Sequence, residues 1–288
     1  MEIQNEKNKG TSFISLVKFK RTLLYIALFL FGFVALFPLV WMAYTSFKSN
    51  ADISNSVFSL PTVLHFENYS NAWQTAKIGV YFLNSVFVSI ASILLTILIG
   101  SSAAFILSKF EFKLRKSIYT LFLIGMLIPL QSVLVPLFIQ MRFLGLLDTE
   151  WSLILSYTAF GLPVTIFVLE SFMRSFPNSI IEAAIMDGSS IPRLFFSIII
   201  PMTRPAIATI TILNFLNNWK EFSFALIFIT SDAKKTLPLG LYNFLGAYTS
   251  DYAGLMAALV ISSIPVVIIY LILQEQIING MTAGAVKG

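Results

Sequence analysis

IGVYFLNSVFVSIASILLTILIGSSAAFILS, residues 78–108, is a run of 31 residues without a charged side chain. A bilayer core about 30 Å thick needs about 20 helical residues, so this run is long enough to cross a membrane as a helix. Four further charge-free runs lie at residues 22–47, 117–141, 151–169 and 252–274. Residues 205–230 are equally apolar apart from Lys220 and Glu221, and we interpret them as a span with a polar interruption. The sequence therefore predicts an all-α membrane protein with six transmembrane helices.

Charged residues are scarce: they make up 11% of the chain, against 57% hydrophobic residues. A soluble domain carries about 25% charged residues, so the shortage indicates lipid as the main solvent. The chain has no cysteine and a single histidine, His65, so we expect no disulfide framework and no zinc or copper site. The net charge of +5 does not require a nucleic-acid partner, because Lys and Arg concentrate on the cytoplasmic side of membrane proteins.

The distribution of basic residues predicts the orientation. With the N-terminus inside, the inner segments hold 13 of the 19 Lys and Arg residues, the outer loops hold 5, and Lys220 lies within a span. This asymmetry predicts that both termini are cytoplasmic. The predicted organisation is a basic tail at 1–21, a six-span domain at 22–274 and a second tail at 275–288. The expected spans and the long inner loop lie at about 22–47, 82–108, 117–141, 151–173, 205–230 and 253–274, with the loop at 174–204.

The inner loop carries the residues of a short helix. Pro177 suits a first helical turn, where its missing N–H costs little. Ser179 and Glu182 have the spacing of a capping box, in which each side chain bonds the other residue's backbone N–H. Ala183 and Ala184 would give this helix a smooth patch that another surface can approach closely. The pattern predicts a rigid, exposed element suited to docking.

A turn and a second helix are predicted to follow. Gly188 is a good residue to end a helix, because it adopts a left-handed backbone conformation without strain. Ser189 or Ser190 can then cap the next helix, with Pro192 in its first turn. The loop is therefore expected to fold as helix, glycine turn and helix, returning the chain to the membrane.

The spacing of this loop resembles the EAA motif (E-A-A-x3-G-x9-I-x-L-P) of the membrane subunits of binding-protein-dependent ABC importers. The one departure is Ile200, where the motif has Leu. The matching positions are Glu182, Ala183, Ala184, Gly188, Ile198 and Pro201.

The resemblance covers nearly the whole chain and is greatest to the smaller, six-span permease of maltose-type carbohydrate systems. One match is imperfect: Lys220 stands in a W-N-E-F-like segment where that group has Asn, although Asn218 lies beside it. The other matching segments are 66–69, 84–85, 127–129, 136–137, 144–146, 219–222 and the C-terminal 280–288.

Membership of this group implies the type I permease fold and a defined assembly. The chain would form half of the translocation pathway of an ATP-driven sugar importer in the inner or plasma membrane of a bacterium or archaeon. The expected partners are a second homologous permease, two ATPase subunits, an extracytoplasmic sugar-binding protein and membrane lipid. The chain has no Walker A sequence, so ATP and magnesium are expected on the ATPase and no catalytic residue is expected here. Outer segments 67–73 and 230–251 would meet the binding protein, and the C-terminal tail the ATPases.

The same resemblance implies the coupling residues. Glu182 alone is equally well explained as a capping partner, and the EAA resemblance favours a docking contact with an ATPase. Asp187 is included for its place beside the glycine turn rather than for a chemical role of its own. The predicted coupling residues are Glu182, Ala183, Ala184, Asp187 and Gly188.

A polar stripe interrupts the fifth span. Asn214, Asn217, Asn218 and Glu221 have offsets of 0, 3, 4 and 7, which place them on one helical face. A polar stripe in a membrane helix faces protein or a water-filled path. Two interpretations stay open: hydrogen-bonding contacts between helices, or a lining of the sugar path in which Trp219 stacks on a sugar ring.

A different class of transporter is the main alternative. An ion-coupled secondary transporter of a small polar solute would carry ionisable residues in mid-membrane and, in many folds, internal repeats. Only Lys220 and Glu221 are candidates for the ionisable residues, and the sequence shows no repeat. An intramembrane enzyme would need convergent catalytic side chains within spans, and the sequence offers none.

Overall fold

The structure is a computed structural model and describes the backbone of residues 2–244 and 251–285. Within these ranges the chain folds into helices, turns and loops without a β-strand. A π-helical segment joins α9 to α10. The helices are α1 (Glu2–Thr45), α2 (Asn50–Asn55), α3 (Glu67–Ser70), α4 (Ile78–Lys109), α5 (Arg115–Gly125), α6 (Leu130–Phe143), α7 (Glu150–Arg174), α8 (Asn178–Met186), α9 (Ile191–Leu194), α10 (Ile200–Met202), α11 (Arg204–Trp219), α12 (Ser223–Phe228), α13 (Leu237–Leu241) and α14 (Tyr252–Ala285).

Four segments of these helices are long and apolar enough to cross a membrane unbroken: Lys20–Thr45, Ile78–Lys109, Glu150–Arg174 and Tyr252–Ile272. They coincide with four of the predicted spans. In the described backbone the two predicted tails are helical: α1 starts at Glu2 and α14 continues to Ala285. For the predicted C-terminal tail, residues 275–288, the structure describes the backbone of 275–285 alone. Residues 286–288 lie outside the described residues.

The predicted span at 117–141 is not one helix. Helices α5 and α6 meet at an angle of 103°. Pro129 lies at the start of α6 with an extended backbone (φ −69°, ψ 135°), and a proline disfavours helical conformation in the residue before it. The two helices can count as one broken span, as can Ile191–Met202 with α11, which meet at 76°.

The predicted span at 205–230 is also interrupted. Helix α11 ends at Trp219, and the separate helix α12 starts at Ser223. The reason is Glu221, whose carboxylate accepts hydrogen bonds from the N–H groups of Phe224 (2.8 Å) and Ala225 (3.3 Å). A side chain that satisfies the first free N–H groups of a helix starts a new helix. The described chain thus holds four unbroken candidate spans, or up to six if each bent pair is one span.

Helices α4 and α7 pack along each other at the centre of the fold, and α11 contacts both. Gly161 of α7 lies where the three helices meet. A Cβ atom at Gly161 would lie 2.4 Å from Asn214 Oδ1 and 3.1 Å from Thr96 Cγ2, which leaves no room for a side chain. Gly100 of α4 allows a similarly close packing, because a Cβ atom there would lie 2.6 Å from Thr165 Cγ2. Close helix packing through small residues is typical of membrane bundles.

The membrane-spanning part of α1 is exposed. Its apolar stretch is 0% buried within this chain, and Phe29 and Phe31 are 73% and 75% exposed. Apolar surface of this extent needs lipid or another membrane subunit to cover it.

Candidate coupling loop and transport cavity

Helix α8 and the turn after it form the predicted loop. The backbone of Gly188 is left-handed (φ +77°), as predicted. Its N–H donates to Ile185 O (2.9 Å), and the N–H of Ser189 donates to Ala184 O (2.9 Å). This pair of bonds is the Schellman motif, which satisfies the last carbonyl groups of a helix. The predicted sequence of helix, glycine turn and helix is confirmed, with Pro192 in the first turn of α9.

The predicted capping box is wrong. Helix α8 starts at Asn178, and its N-cap residue is Pro177, which has no side chain that can accept a hydrogen bond. Ser179 therefore lies inside the helix, where its hydroxyl cannot act as a cap. Ser190 does occupy the N-cap position of α9, but its side chain makes no capping bond. Glu182 is consequently not used as a capping partner, and its side chain is exposed.

The residues predicted to couple the chain to an ATPase divide between surface and core. Glu182, Ala183, Asp187 and Gly188 are exposed, whereas Ala184 is buried. The smooth patch predicted for both alanines is therefore limited to Ala183. Ala184 belongs to a buried cluster with residues towards the end of α7 and at the end of α9: Leu169, Met173 and Leu194. One face of α8 is thus fixed to the core while the opposite face is free.

The free face is more apolar than the sequence pattern indicated. Ile185 and Met186 are 54% and 87% exposed, next to the exposed carboxylate of Glu182. The motif alone does not show which side chains of α8 are exposed, because neighbouring residues of a helix lie on different faces. The exposed surface of α8 and its turn combines two large apolar side chains, one small residue and acidic groups.

A lysine joins the loop to the transmembrane helices. Lys109, the last residue of α4, donates hydrogen bonds from Nζ to Phe176 O (2.7 Å) and Asn178 Oδ1 (3.3 Å). These acceptors lie in the turn after α7 and at the first residue of α8. Sequence reasoning missed Lys109, because its partners are 67 and 69 residues away in the chain. The contact links any displacement of α8 to α4 as well as α7.

A cavity of about 410 Å³ lies between the two helix breaks. It is bounded by the start of α6, the middle of α7, the end of α11 and the start of α12. Its lining includes the following polar residues: Gln131, Tyr157, Asn214, Asn217, Asn218, Lys220, Glu221 and Ser223. Four members of the predicted stripe are therefore brought together. Gln131 was missed, because only the 103° bend between α5 and α6 places it here.

The stripe residues differ in what they contact. Asn214 is buried, and its Nδ2 donates to Thr165 Oγ1 (3.1 Å) and Ile210 O (3.0 Å). Asn214 thus holds α11 against α7, which is the helix-contact interpretation. Asn217 is exposed and Asn218 is half-buried, and in the described part of the chain neither amide bonds another side chain. Within the stripe, these two amides are not engaged by another side chain.

Glu221 lines the cavity but its carboxylate is engaged. Besides the two N–H groups of α12, it accepts a hydrogen bond from the Tyr157 hydroxyl (2.8 Å). The side chain therefore ties α12 to α7. Lys220, one residue earlier, is exposed to the cavity and forms no ion pair with Glu221 within the described residues.

Trp219 does not line the cavity, contrary to the stacking interpretation. Its ring is 4% exposed, stacks on Phe215 at 5.3 Å and meets Phe82 edge-on at 5.6 Å. Its Nε1 donates to Ser262 O (3.0 Å). The residue points to the opposite side of α11, where it joins that helix to α4 and α14.

The end of the molecule opposite α8 is closed by a second set of polar contacts. Asn84 donates from Nδ2 to Ala233 O (2.8 Å) and Lys235 O (2.9 Å), and Ser85 Oγ accepts from Leu237 N (2.7 Å). These two residues form one of the matching segments in the sequence. Their physical role here is to hold the loop after α12 against α4.

Asp148 also holds the loop after α12 by hydrogen bonds. Its carboxylate accepts hydrogen bonds from the Ser231 hydroxyl and from the N–H groups of Ser231 (2.8 Å) and Thr230 (3.0 Å). Lys234 Nζ donates to the Asp148 carbonyl oxygen (2.6 Å). The hydrogen bonds from Ser231, first its hydroxyl, lower the pKa of Asp148 to about 2.

We expect Asp148→Ala to lower the thermal midpoint of the purified protein by about 2–4 °C at neutral pH, because three donors lose their acceptor. Because folding lowers the pKa of Asp148, its ionised carboxylate stabilises the fold at pH values above the pKa of the unfolded state. This contribution is lost only as the pH falls towards about 2. The difference from wild type should therefore be constant between about pH 5 and about pH 8. Asp148→Asn, which keeps an acceptor, should fall between the two; equal midpoints for all three proteins would contradict this role.

Comparison with known proteins places this sequence in a family. Residues 96–282 match the family model of the binding-protein-dependent transport system inner membrane component. The diacetylchitobiose uptake system permease protein NgcG of Streptomyces coelicolor is 40% identical over 262 residues, covering 90% of this chain and 87% of that protein. The trehalose/maltose transport system permease protein MalG of Thermococcus litoralis is 35% identical over 276 residues, covering 93% and 98%.

The fold agrees with these relatives. The chain superposes on a bacterial ABC transporter involved in the import of the acidic polysaccharide alginate with a TM-score of 0.76 and 25% identity, covering 87% of this chain and 93% of that chain. The chain belongs to the family of binding-protein-dependent transport system inner membrane components. It is a multi-pass permease subunit of the ABC importer type.

Proposed function

We propose that the chain forms half of the pathway through which an ATP-driven complex imports a sugar. The substrate class is taken from relatives named for transport of diacetylchitobiose and of trehalose or maltose. The proposed complex contains a second permease, two ATPase subunits that hold ATP and magnesium, and a sugar-binding protein on the opposite face. The proposed topology has six spans, with α8 and both termini in the cytoplasm.

The observation that carries this proposal is the construction of α8. Its buried face, at Ala184, is packed into the core. Its exposed face presents Glu182, Ile185 and Met186. Exposed apolar side chains that lie together and are rimmed by polar residues are typical of protein–protein contact sites. The proposed partner is the cleft of an ATPase subunit.

Work would be transmitted through rigid contacts. The Schellman bonds fix Gly188 at the end of α8, and Lys109 joins the start of α8 to α4. When ATP closes the ATPase dimer, a docked α8 would move with its cleft and carry the ends of α4 and α7. A helix that slipped in its seat would transmit no displacement, so the buried contacts of α8 are a mechanical requirement.

The cavity lies where such a displacement can change its shape. The cavity lies beside two helix breaks, one between α5 and α6 and one between α11 and α12. Broken helices in transporters place irregular backbone beside a solute path without exposing it to lipid. The free amides of Asn217 and Asn218 would bond sugar hydroxyls, while Glu221 holds α12 in place.

Purification under gentle detergent tests the proposed assembly. A tagged chain is expected to bring down a P-loop ATPase and a second multispanning subunit, and proteoliposomes of that complex with its binding protein should take up sugar only with ATP. A chain that purifies only with itself would contradict the assembly. Uptake that is abolished by an uncoupler and indifferent to ATP would instead identify an ion-coupled transporter.

A further inference from the structure

A second cavity, of about 530 Å³, lies at the α8 end of the molecule. It is formed where α4 ends, where α5 begins and where α7 ends. It is separate from the transport cavity and shares none of its lining residues. The residues that line it are Leu107, Glu111, Phe112, Lys113, Arg115, Lys116, Tyr119, Glu170 and Arg174.

The charges around this cavity are unbalanced. Four basic side chains face two carboxylates. One of those carboxylates, Glu170, is buried and is already paired with Arg174, an exposed residue one turn later on α7. The pair fixes the Arg174 guanidinium at the wall of the cavity. A guanidinium has five N–H donors, so Arg174 retains donors for a further acceptor.

The other three basic side chains, Lys113, Arg115 and Lys116, have no carboxylate within 4.0 Å among the described residues. Arg115 and Lys116 also lie in the first turn of α5, which has no acidic residue and no side-chain cap. The positive end of the helix dipole disfavours cations there. An anion in the cavity would relieve both the mutual repulsion and this unfavourable placement.

The position of the cavity selects the source of that anion. Two unbroken candidate spans end at Lys109 and Arg174, and the broken one begins at Arg115. The cavity therefore lies where the helices leave the hydrocarbon, at the depth of lipid headgroups. Leu107, Phe112 and Tyr119 add apolar and aromatic surface beside the charges. Such a mixed lining fits a headgroup phosphate with its glycerol and first acyl carbons.

We infer that this cavity binds the headgroup phosphate of an anionic phospholipid. Lys113, Arg115, Lys116 and Arg174 supply the cationic donors, and Glu170 is a positioning residue for Arg174. The inference uses the membrane boundary given by the helix ends. It rests on the proposed function only in calling that boundary cytoplasmic, where anionic lipid is enriched.

The test is native mass spectrometry of the full chain, with any subunits that co-purify, from nanodiscs of phosphatidylcholine with phosphatidylglycerol. Each lost charge weakens attraction to anionic lipid about fivefold, so Lys113→Gln/Arg115→Gln/Lys116→Gln should retain phosphatidylglycerol at least about tenfold less well than wild type. The matched control is Lys18→Gln/Lys20→Gln/Arg21→Gln, which removes the same charge from exposed residues of α1. It should retain phosphatidylglycerol like wild type.

Equal retention by the two triple variants would overturn the site, because diffuse surface charge would then explain the binding. Displacement of bound phosphatidylglycerol by millimolar inorganic phosphate or glycerol phosphate would also overturn it, since the ligand would then be a soluble phosphate. Lys116→Gln alone is the second variant should the triple fail to fold, and about fivefold weaker retention is expected for it. No nucleotide or sugar is added, so failure of the transport proposal would leave this readout unchanged.

Discussion

Glu182→Lys is expected to abolish ATP-driven uptake while the chain remains inserted and assembled with its partner permease. The Glu182 side chain is exposed and takes no part in capping α8, so the substitution leaves the helix intact. A reversed charge at a docking surface meets like charge in the partner, which costs several kcal/mol. Uptake should fall by roughly a hundredfold, measured in proteoliposomes with the binding protein and ATP.

Gly188→Asp is expected to have the same consequence by a different route. Gly188 is left-handed and has no heavy atom within 4 Å of an added Cβ, so a side chain there meets no internal clash. The backbone cost for a residue with a side chain is about 1–2 kcal/mol, and Asp and Asn bear it best. The loss of uptake would come from the side chain itself, which would stand between α8 and the docked ATPase, so Gly188→Asn, of the same size, should lose uptake as fully as Gly188→Asp.

Ser179→Ala is the matched control within α8. Its hydroxyl lies inside the helix and makes no capping bond, so uptake and stability should equal those of wild type. Had the capping box been the role of Glu182, Ser179→Ala and Glu182→Lys would both destabilise the loop. Normal uptake by well-expressed Glu182→Lys and Gly188→Asp proteins would contradict coupling through α8.

The second large effect is expected in the transport cavity. Asn217→Leu/Asn218→Leu removes the two α11 amides that line the cavity and bond no other side chain in the described residues. Each lost hydrogen bond to a sugar hydroxyl costs about 0.5–1.5 kcal/mol, and a hydroxyl left unpaired costs more. The apparent KM for sugar uptake should rise about tenfold or more, while ATP hydrolysis by the assembled complex persists.

The comparison for this variant is Gln140→Leu. Gln140 is an exposed amide on α6 and does not line the cavity, so the same change of chemistry should leave the KM unaltered. An unchanged KM in Asn217→Leu/Asn218→Leu would remove these amides from the sugar path. The partner permease would then supply the main solute contacts.

Much of the fold could be predicted because it follows from local composition. Four uninterrupted apolar runs became four unbroken helices, since helix formation is the only way to satisfy the backbone of an isolated segment in lipid. The turn at Gly188 was equally local, because only glycine adopts its left-handed backbone freely. The EAA spacing added the functional meaning of that turn.

The features that the sequence left undetermined depend on distant partners. The break after Trp219 follows from the Glu221 carboxylate, which finds Tyr157 on another helix 64 residues away. Helical periodicity alone placed Trp219 beside the amides, and only its bond to Ser262 on α14 shows which way the ring points. The proline at position 129 is visible in the sequence, but the 103° angle between α5 and α6 is not.

The central claim is that α8 docks on an ATPase, and site-specific cross-linking tests it most directly. The chain has no cysteine, so Met186→Cys gives one attachment point for a photoactivatable maleimide on the exposed tip of α8. Asn55→Cys, at the exposed last residue of α2, is the control. We expect Met186→Cys to form an adduct with a P-loop ATPase and Asn55→Cys to form none. An ATPase adduct from Asn55→Cys, or none from Met186→Cys in an assembled, active complex, would contradict the account.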